Sequence, residues 1–338
     1  MKSAVWKGYK EGFVIEEVPE PKPQENEVKI KVRYCGICGT DLHLLEAGLV
    51  PQGAILGHEV TGMIVEVGKG AEEFKEGDSV AIRPYSPCGQ CPACKMGKPN
   101  ICPQGLENAV GFGKKQGGFA EYVVVKKDQV WKLKRGVSLR EGTLAEPLAS
   151  AVHAVRRAGV KIGDYALVVG GGPMGTLVAV ALKWAGAHRV VISEPSVRRR
   201  NIIKTLGFDM VADPERSNPL TYFDDLEWKS PPFVFDCAGK KASLVQAIEY
   251  CAPGGKVIIT GLAWEPVLIN SLLCLGKELE LFASFSYFQE FEVALDIISS
   301  DVFDFLSLIT RIISLEELNQ ALEGLKFPSK EMKILVEI

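Results

Sequence analysis

The sequence predicts a doubly wound, mainly parallel α/β sheet inserted into a discontinuous β-rich domain, and three features lead to this fold class. Short apolar runs broken by glycine and proline fill residues 27–130, as in all-β lobes. Strand-like and helix-like segments then alternate over residues 165–260, as in parallel sheets with helices on both faces. The final segment returns to a mixed pattern and ends in a β-like run at residues 333–338.

The length of the chain, 338 residues, exceeds what one hydrophobic core usually supports, so we predict two domains. We expect the α/β domain at residues 148–287 and the β-rich domain at residues 1–147 and 288–338. In the β-rich part the predicted strands are 28–34, 60–67, 79–83 and 122–125. A helix is predicted at 144–159, because Leu148, Val152 and Val155 recur three or four residues apart. In the α/β part we predict strands at 165–169, 189–193, 233–236 and 256–260, and helices at 177–185, 198–206 and 244–251.

The composition excludes several classes of protein. Hydrophobic residues make up 47% of the chain and charged residues 24%, and the formal net charge is −3. Such a charge creates no strong field for nucleic acid or an anionic membrane, so we expect neither as a partner. Residues 1–6 do not resemble a secretory signal, and no later run approaches the ~20 apolar residues of a membrane span. We therefore expect a cytoplasmic protein whose nine cysteines are metal ligands or buried thiols.

A glycine-rich turn follows the first predicted strand of the α/β domain. Gly170, Gly172 and Gly175 fit the pattern GxGxxG, with Pro173 and Met174 between the last two glycines. Glycines at these positions allow a tight turn, let the backbone approach a pyrophosphate and let the helix pack on the strand. The N-terminus of the following helix then faces the phosphates. The motif predicts a dinucleotide site of the Rossmann type rather than a purely structural turn.

The second strand of this domain ends near Glu194, roughly 20 residues beyond the last glycine. An acid at this point accepts hydrogen bonds from the adenosine ribose hydroxyls and repels a 2′-phosphate, which favours NAD over NADP. The alternative stays open, because one of Arg198, Arg199 and Arg200 can hold the phosphate of NADP instead. We take Arg199 as the candidate cofactor contact and interpret the other two as a solvated helix start.

Four cysteines lie within a short loop that is rich in glycine and proline and lacks periodicity. They are Cys88, Cys91, Cys94 and Cys102, in a lobe that spans residues 86–103. Four thiolates fill the tetrahedral shell of zinc and leave no open position, so we predict a structural zinc ion rather than a catalytic one. An iron–sulfur cluster is the alternative that this spacing leaves open.

Three further motifs are scattered along the chain: GICGTDLH at residues 36–43, GHE at residues 57–59 and AEP at residues 145–147. With the four-cysteine lobe and the GxGxxG turn, they occur in the order typical of the zinc-containing medium-chain dehydrogenase/reductase family. The chain resembles this family over essentially its whole length, and in particular its sorbitol, butanediol and threonine dehydrogenase branch. The resemblance implies a Rossmann NAD-binding domain and a discontinuous GroES-like β-barrel catalytic domain.

The resemblance also implies the ligands of a second, catalytic zinc ion. These are Cys38 and His58, with Glu59 as a ligand or close alternate. Many alcohol dehydrogenases of the family carry a cysteine where this chain has Glu146, and no cysteine occurs between Cys102 and Cys237. The Glu-Pro form is similar to the sorbitol, butanediol and threonine dehydrogenase branch, in which the glutamate binds zinc directly or through water. We therefore expect two zinc ions per chain.

The same resemblance assigns supporting roles around that metal. Asp41 fixes the ring of His58, a support that metal-bound histidines normally need. Thr40 and His43 match the family's proton relay from the substrate oxygen to solvent. Zinc with an open position activates the alcohol oxygen as a Lewis acid. We interpret Cys35 as a buried thiol, since no thioredoxin-like unit follows the CxxC pair.

We therefore expect an NAD-dependent zinc dehydrogenase that transfers a hydride from a secondary alcohol. A polyol or diol ranks first as substrate and L-threonine second, while Leu44 stands where polyol enzymes often carry an aromatic residue. A zinc-free quinone or enoyl reductase and a non-catalytic nucleotide-binding zinc protein are the rival hypotheses. The apolar stretch at residues 268–281 suggests a sheet edge for self-association, and relatives suggest a homotetramer or a dimer.

Overall fold

The computed structural model describes residues 1–112, 115–263, 265–325 and 331–338. The chain forms two compact units, the first from residues 1–146, 294–300 and 309–338 and the second from residues 147–293 and 301–308. The predicted boundaries between the β-rich domain and the α/β domain, at 147/148 and 287/288, stay a prediction. Within the described ranges, every helix is too short or too polar to cross a lipid bilayer.

The bounds of the regular elements are as follows. The strands are β1 Lys2–Trp6, β2 Phe13–Glu17, β3 Glu27–Gly36, β4 Glu59–Val67, β5 Ser79–Ile82, β6 Tyr122–Lys126, β7 Val130–Lys132, β8 Tyr165–Val169, β9 Arg189–Ser193, β10 Val211–Ala212, β11 Phe233–Asp236, β12 Lys256–Ile259, β13 Glu280–Ala283, β14 Ile309–Ser314 and β15 Lys333–Glu337. The α-helices are α1 Gly39–Glu46, α2 Pro92–Lys95, α3 Pro103–Glu107, α4 Leu139–Gly142, α5 Ala145–Ala158, α6 Pro173–Trp184, α7 Val197–Thr205, α8 Lys241–Tyr250, α9 Ser271–Gly276, α10 Glu290–Ser299 and α11 Leu318–Leu325.

The first unit is built on a seven-stranded sheet with the order β14-β15-β3-β4-β5-β7, in which β6 also pairs with β3. Strand β3 lies in the middle of this sheet. Its apolar residues Val28, Ile30 and Val32 are buried in the core, while Lys31 and Arg33 are exposed on the opposite face. The C-terminal strand β15 pairs antiparallel with β3 and carries the chain's last segment into this core. The sheet therefore joins segments that are about 300 positions apart in sequence, such as Leu335 and Gly36.

The second unit is a six-stranded parallel sheet with the order β10-β9-β8-β11-β12-β13. The strand order reverses between β8 and β11, which is the point where doubly wound sheets bind nucleotides. The inner strands are continuous apolar runs, as expected for strands buried on both faces. This confirms the predicted parallel sheet, and the predicted strand at 165–169 has the same bounds as β8.

Strand β13 lies at the edge of the parallel sheet, and the short helix α9 precedes it. Several apolar side chains of this segment face solvent: Leu268 is 92% exposed, Leu272 76% and Leu275 77%. The sequence predicted a sheet edge here but not the helix, because a helix of six residues carries too few repeats to show a period.

Helix α10 begins at a buried carboxylate whose ionised form is held by several donors. The Glu290 carboxylate accepts hydrogen bonds from the backbone N–H of Phe288 at 2.9 Å and of Gln289 at 3.0 Å, and it lies 3.2 Å from Nδ1 of His153. Burial raises the pKa of Glu290, but His153 and the backbone donors outweigh burial and lower it to about 2. The carboxylate therefore stabilises the folded state only while it is ionised.

We expect Glu290→Gln to lower the free energy of unfolding at pH 7 by about 1 to 2 kcal/mol, because charged hydrogen bonds are lost. The folded pKa lies below the ordinary value, so this contribution is complete above about pH 4.5 and disappears as the pH falls towards 2. Urea unfolding at a series of pH values measures it. Glu292→Gln, at an exposed position of the same helix, is the control, and a constant difference between Glu290→Gln and the wild type at all pH values would contradict the assignment.

Candidate metal centres and nucleotide site

The register of the first sheet brings three predicted ligands to one place. Glu59, the first residue of β4, pairs with Gly36, the last residue of β3. His58 directly precedes Glu59, and Cys38 lies two residues after Gly36, so both lie next to this pair of strand ends. The sulfur of Cys38, a ring nitrogen of His58 and a carboxylate oxygen of Glu59 all lie within 4.8 Å of one another. His58 is 2% exposed and Glu59 is fully buried. A thiol, an imidazole and a carboxylate in this arrangement fit the ligand preferences of zinc.

Helix α1 fixes the thiol of this group. Cys38 is the N-cap residue, and its sulfur accepts a hydrogen bond from the backbone N–H of Thr40 at 3.5 Å. The carboxylate of Asp41 closes the cap, because its Oδ2 accepts a hydrogen bond from the backbone N–H of Cys38 at 2.9 Å. Both bonds fix the position of Cys38 at the start of α1.

The imidazole of His58 is held on two sides. Its Nδ1 lies 3.5 Å from Oδ1 of the fully buried Asp41, which leaves Nε2 for a metal. Within the described part of the chain, neither Nδ1 of His58 nor Oδ1 of Asp41 has a hydrogen-bond partner. The ring of Phe112 lies against the ring of His58, with centroids 3.9 Å apart and an interplanar angle of 31°. Burial lowers the pKa of His58, but Asp41 outweighs burial and raises it well above its usual range.

A lysine that the sequence analysis did not single out completes the group. The Nζ of Lys333, at the start of β15, lies 2.7 Å from each carboxylate oxygen of Glu59 and 3.2 Å from the carbonyl oxygen of Ile37. Both side chains are buried, at 4% and 0% exposure. Burial lowers the pKa of Lys333, but the negative charges of Glu59 and Cys38 outweigh it and raise the pKa above its ordinary value. Lys333 is therefore held in its charged form beside the carboxylate of Glu59.

Glycine at position 36 provides the space for this ion pair. A Cβ atom at Gly36 would lie 1.9 Å from Oε2 of Glu59, a distance that no side chain tolerates. The first residue of the GICGTDLH motif is therefore explained by the room that the buried carboxylate needs.

Glu146 lies in the first turn of α5, and it is not a member of the three-residue group formed by Cys38, His58 and Glu59. Burial lowers the pKa of Lys333, and the negative charge of Glu146 contributes to raising it, after the charges of Glu59 and Cys38. A direct ligand role of Glu146 stays a prediction.

The two candidate relay residues share one face of α1. Thr40 and His43 are three positions apart, which places their side chains on the same side of a helix. The hydroxyl of Thr40 lies 3.5 Å from the sulfur of Cys38, and Nδ1 of His43 lies 3.7 Å from the carboxylate of Glu46. His43 is 31% exposed. The pair therefore leads from the half-buried thiol of Cys38 towards solvent.

Cys35 is close in sequence to this group but does not belong to it. Its side chain is fully buried, and burial raises the pKa of its thiol well above the ordinary value. The structure gives it the character of an inert core thiol.

The four cysteines of the loop at residues 86–103 also converge. Their sulfurs all lie within 4.8 Å of one another, and the pairs Cys91–Cys94 and Cys88–Cys102 are separated by 3.6 Å and 3.5 Å. The backbone N–H groups of Cys91 and Gly105 donate to the sulfurs of Cys88 and Cys102 at 3.3 Å and 3.4 Å. Donors from Gln90 and Cys91 lower the pKa of Cys88 to about 6. Burial and the neighbouring thiol of Cys91 raise the pKa of Cys94 to about 12. The convergence of the four sulfurs fits a four-coordinate metal.

The glycine-rich turn of the second unit has the shape of a nucleotide cradle. Gly170 has a φ of +98°, a conformation that side chains rarely adopt. A Cβ at Gly175 would lie 1.8 Å from the carbonyl oxygen of Gly170, so only glycine allows the helix to pack on the strand. Gly172 is the N-cap of the 12-residue helix α6, which Pro173 and Met174 begin. These features fit a pyrophosphate at the helix N-terminus.

Glu194 lies directly beside this turn. Its carboxylate accepts hydrogen bonds from the backbone N–H of Gly171 at 2.9 Å and of Ser196 at 2.8 Å, and it is 3% exposed. Arg200 is bound elsewhere, since its guanidinium lies 2.8 Å from Asp213 and donates to the carbonyl oxygens of Glu194 and Pro195. A Cβ built at Gly172 would lie 3.5 Å from a guanidinium nitrogen of Arg199. Of these two arginines, Arg199 is the one beside the phosphate turn.

Proteins that combine such a metal group with a dinucleotide turn form the class of zinc-dependent dehydrogenases, and comparison with known families leads to the same class. Residues 24–135 match the family model described as the alcohol dehydrogenase GroES-like domain, and residues 173–300 match the model described as zinc-binding dehydrogenase. The chain belongs to this family of zinc-dependent, nicotinamide-linked alcohol dehydrogenases, which confirms the fold and the resemblance that its motifs predicted.

Individual relatives cover almost the whole chain. The 2-dehydro-3-deoxy-L-galactonate 5-dehydrogenase of Pseudoalteromonas atlantica is 33% identical over 93% of this chain and 92% of its own. The sorbitol dehydrogenase of Bacillus subtilis is 30% identical over 99% and 97%. Among solved structures, a zinc-binding dehydrogenase from Sinorhizobium meliloti bound to NADP has a TM-score of 0.91 at 29% identity, and the 2R,3R-butanediol dehydrogenase of Bacillus subtilis has a TM-score of 0.88 at 31% identity. Both cover 100% of this chain, and this chain covers 99% of each.

Proposed function

We propose that the protein oxidises a secondary hydroxyl group of a polyol, diol or related sugar alcohol, with NAD as hydride acceptor. The observation that carries this proposal is the group formed by the half-buried Cys38 and the buried His58 and Glu59, supported by Asp41. One thiolate, one imidazole and one carboxylate leave a zinc ion with a position open for an alcohol oxygen. The relatives named sorbitol dehydrogenase and butanediol dehydrogenase support the substrate class.

We assign the metal ligands accordingly. Cys38 and His58 hold the catalytic zinc, and Glu59 or Glu146 supplies the carboxylate. Cys88, Cys91, Cys94 and Cys102 hold a second zinc that has only a structural role, since four thiolates leave no open position. Bound zinc supplies Lewis-acid activation of the hydroxyl group, while the nicotinamide accepts the hydride.

The proton of the hydroxyl group leaves by a relay formed by two side chains and the cofactor ribose. Thr40 accepts it at its hydroxyl oxygen, next to the sulfur of Cys38, and releases its own hydroxyl proton to the cofactor ribose. His43, on the same face of α1 and partly exposed, takes up a proton from the ribose at a ring nitrogen and releases one to solvent. The short helix fixes both residues in the required order.

Cofactor preference follows from the second unit. The Glu194 carboxylate at the phosphate turn is placed to bind the ribose hydroxyls of NAD and to repel a 2′-phosphate. Arg199 is the group that favours the alternative, and one structural relative is bound to NADP. We propose NAD as the physiological cofactor because the Glu194 carboxylate is buried beside the turn, where it opposes a 2′-phosphate.

We further propose a homo-oligomer. Strand β13 exposes its unpaired edge, and the adjacent Leu268, Leu272 and Leu275 are largely exposed. A second copy that pairs along this edge would cover both features. Whether the assembly is a dimer or a tetramer stays a prediction, as does the cytoplasmic location.

Reduction of NAD by the purified protein tests the proposal. The substrates are sorbitol, xylitol, 2,3-butanediol, L-threonine and simple alcohols, each also measured with NADP. We expect a polyol or diol to give the highest kcat/KM, with NAD preferred at least about tenfold. Turnover of L-threonine alone would replace the proposed substrate class, and zinc-loaded protein without turnover of any alcohol would support a non-catalytic nucleotide-binding protein.

We expect Asp41→Asn to lower kcat/KM about 10- to 100-fold. In this variant His58 loses the carboxylate that orients its ring and makes its other nitrogen a stronger ligand for the metal. Steady-state kinetics with the best substrate of the panel measure the loss. The structural zinc, quantified in the same preparation, is the internal control for folding. Unchanged kinetics in Asp41→Asn would contradict the support assigned to Asp41.

A further inference from the structure

The ion pair between Lys333 and Glu59 is buried on both sides, and Lys333 belongs neither to the proposed metal ligands nor to the proposed proton relay. The ammonium of Lys333 is shared by both carboxylate oxygens at 2.7 Å, and within the described chain no other cation forms an ion pair with Glu59. A buried ion pair costs desolvation energy on both sides and adds little to stability compared with apolar side chains. Its position beside the metal ligands suggests a role in that site.

The carboxylate has two possible partners. A carboxylate oxygen of Glu59 lies within 4.8 Å of the sulfur of Cys38 and of a ring nitrogen of His58. Three atoms this close to one another can bind the same zinc ion. The ammonium lies on the same two oxygens. A cation that draws charge from a carboxylate weakens that carboxylate as a ligand for another cation.

The lysine is held in place independently of the carboxylate. Its Nζ also donates to the carbonyl oxygen of Ile37 at 3.2 Å, and the backbone N–H of Ile37 donates to the carbonyl oxygen of Ile334 at 3.0 Å. The pairing of β15 with β3 thus fixes the ammonium at the end of β3. Gly36 leaves room for the carboxylate at that point and for no side chain of its own.

We propose that Lys333 is a positioning residue that competes with the catalytic metal for the Glu59 carboxylate and so keeps a coordination position available to substrate. The proposal rests on the proposed catalytic zinc site. It predicts that removal of the ammonium strengthens the retention of the catalytic zinc and lowers the rate of turnover. Removal of a lysine with a purely structural role would not change these two quantities in opposite directions.

Zinc release to a chromogenic chelator, followed with time on the full-length protein, tests this. The wild type is expected to release zinc in two phases, and the phase missing from Cys38→Ser belongs to the catalytic site. We expect Lys333→Met to slow that phase about tenfold or more and to lower kcat/KM by a similar factor. Lys333→Arg, which keeps the charge, is expected to restore both values towards the wild type.

The double variant Lys333→Met/Glu59→Gln is expected to release catalytic zinc at least as fast as the wild type, because neither charge remains. Lys132→Met, which removes an exposed lysine paired with Asp78 at 2.8 Å, is the matched control and is expected to change neither quantity. The four-cysteine zinc, still bound in each variant, reports a folded lobe.

Catalytic zinc that leaves Lys333→Met at the wild-type rate or faster would overturn the proposal. If Lys333→Met does not fold, Glu59→Gln alone decides: faster release supports a carboxylate that binds the metal, and an unchanged rate overturns it. A wild type that holds a single zinc, only at the four cysteines, would instead refute the proposed catalytic site, so the two failures are distinguishable.

Discussion

Cys38→Ser is expected to lower kcat/KM at least about 10³-fold and to remove one zinc ion per chain. Cys38 supplies the only thiolate of the three-residue group, and a serine hydroxyl stays protonated and binds zinc poorly at neutral pH. Loss of the metal removes the activation of the hydroxyl group, which is worth several kcal/mol in the transition state. Kinetics with the best polyol or diol and zinc content per chain measure both effects.

Cys35→Ser is the matched control for this prediction. Cys35 is three residues away, is fully buried and lies outside the metal group. We expect its serine variant to keep two zinc ions and most of the activity, with a modest loss of stability from the buried hydroxyl. Equal losses in Cys35→Ser and Cys38→Ser would show that the thiol at position 38 has no special role.

Cys94→Ser is expected to cause the largest loss of stability. The lobe at residues 86–103 contains only very short helices. The four cysteine sulfurs, which lie within 4.8 Å of one another, bring its segments together. Because metal binding provides the folding free energy of such lobes, loss of one thiolate is expected to cost several kcal/mol and to lower the unfolding temperature by more than about 5 °C.

Thermal unfolding with zinc quantification checks this prediction. Cys274→Ser, at a half-buried position of α9 in the other unit, is the control and is expected to keep both metals. A Cys94→Ser variant that keeps two zinc ions and the wild-type unfolding temperature would contradict a structural metal at this lobe.

The parts of the site that local sequence encodes could be predicted without the structure. The four cysteines lie within fifteen residues, and the GxGxxG turn is contiguous with a strand and a helix, so spacing alone indicates what they form. The parallel sheet followed in the same way, since each of its inner strands is a short apolar run between helices.

The parts that depend on strand register could not be predicted. Lys333 lies 274 positions from Glu59, and nothing in the run from Lys333 to Ile338 indicates that its first residue meets a carboxylate. The contact exists only because β15 pairs with β3. Phe112 is a similar case, since it is distant from His58 in the sequence and the contact between their rings exists only in the folded chain.

Glu146 shows the limit of motif matching. The Glu-Pro motif implied that Glu146 binds zinc directly or through water. Glu146 is not a member of the group of Cys38, His58 and Glu59, and its role at the metal stays a prediction. A motif specifies the residue type and the approximate place, whereas ligand geometry depends on side-chain packing that many distant residues share.

Anomalous X-ray scattering at the zinc edge, from crystals of the full-length protein grown with NAD, tests the central claim most directly. The account predicts two peaks per chain: one surrounded by Cys88, Cys91, Cys94 and Cys102, and one between Cys38 and His58 with a carboxylate of Glu59 or Glu146 at its side. A single peak at the four cysteines, in protein that nevertheless oxidises an alcohol, would contradict a zinc-dependent reaction at Cys38 and His58.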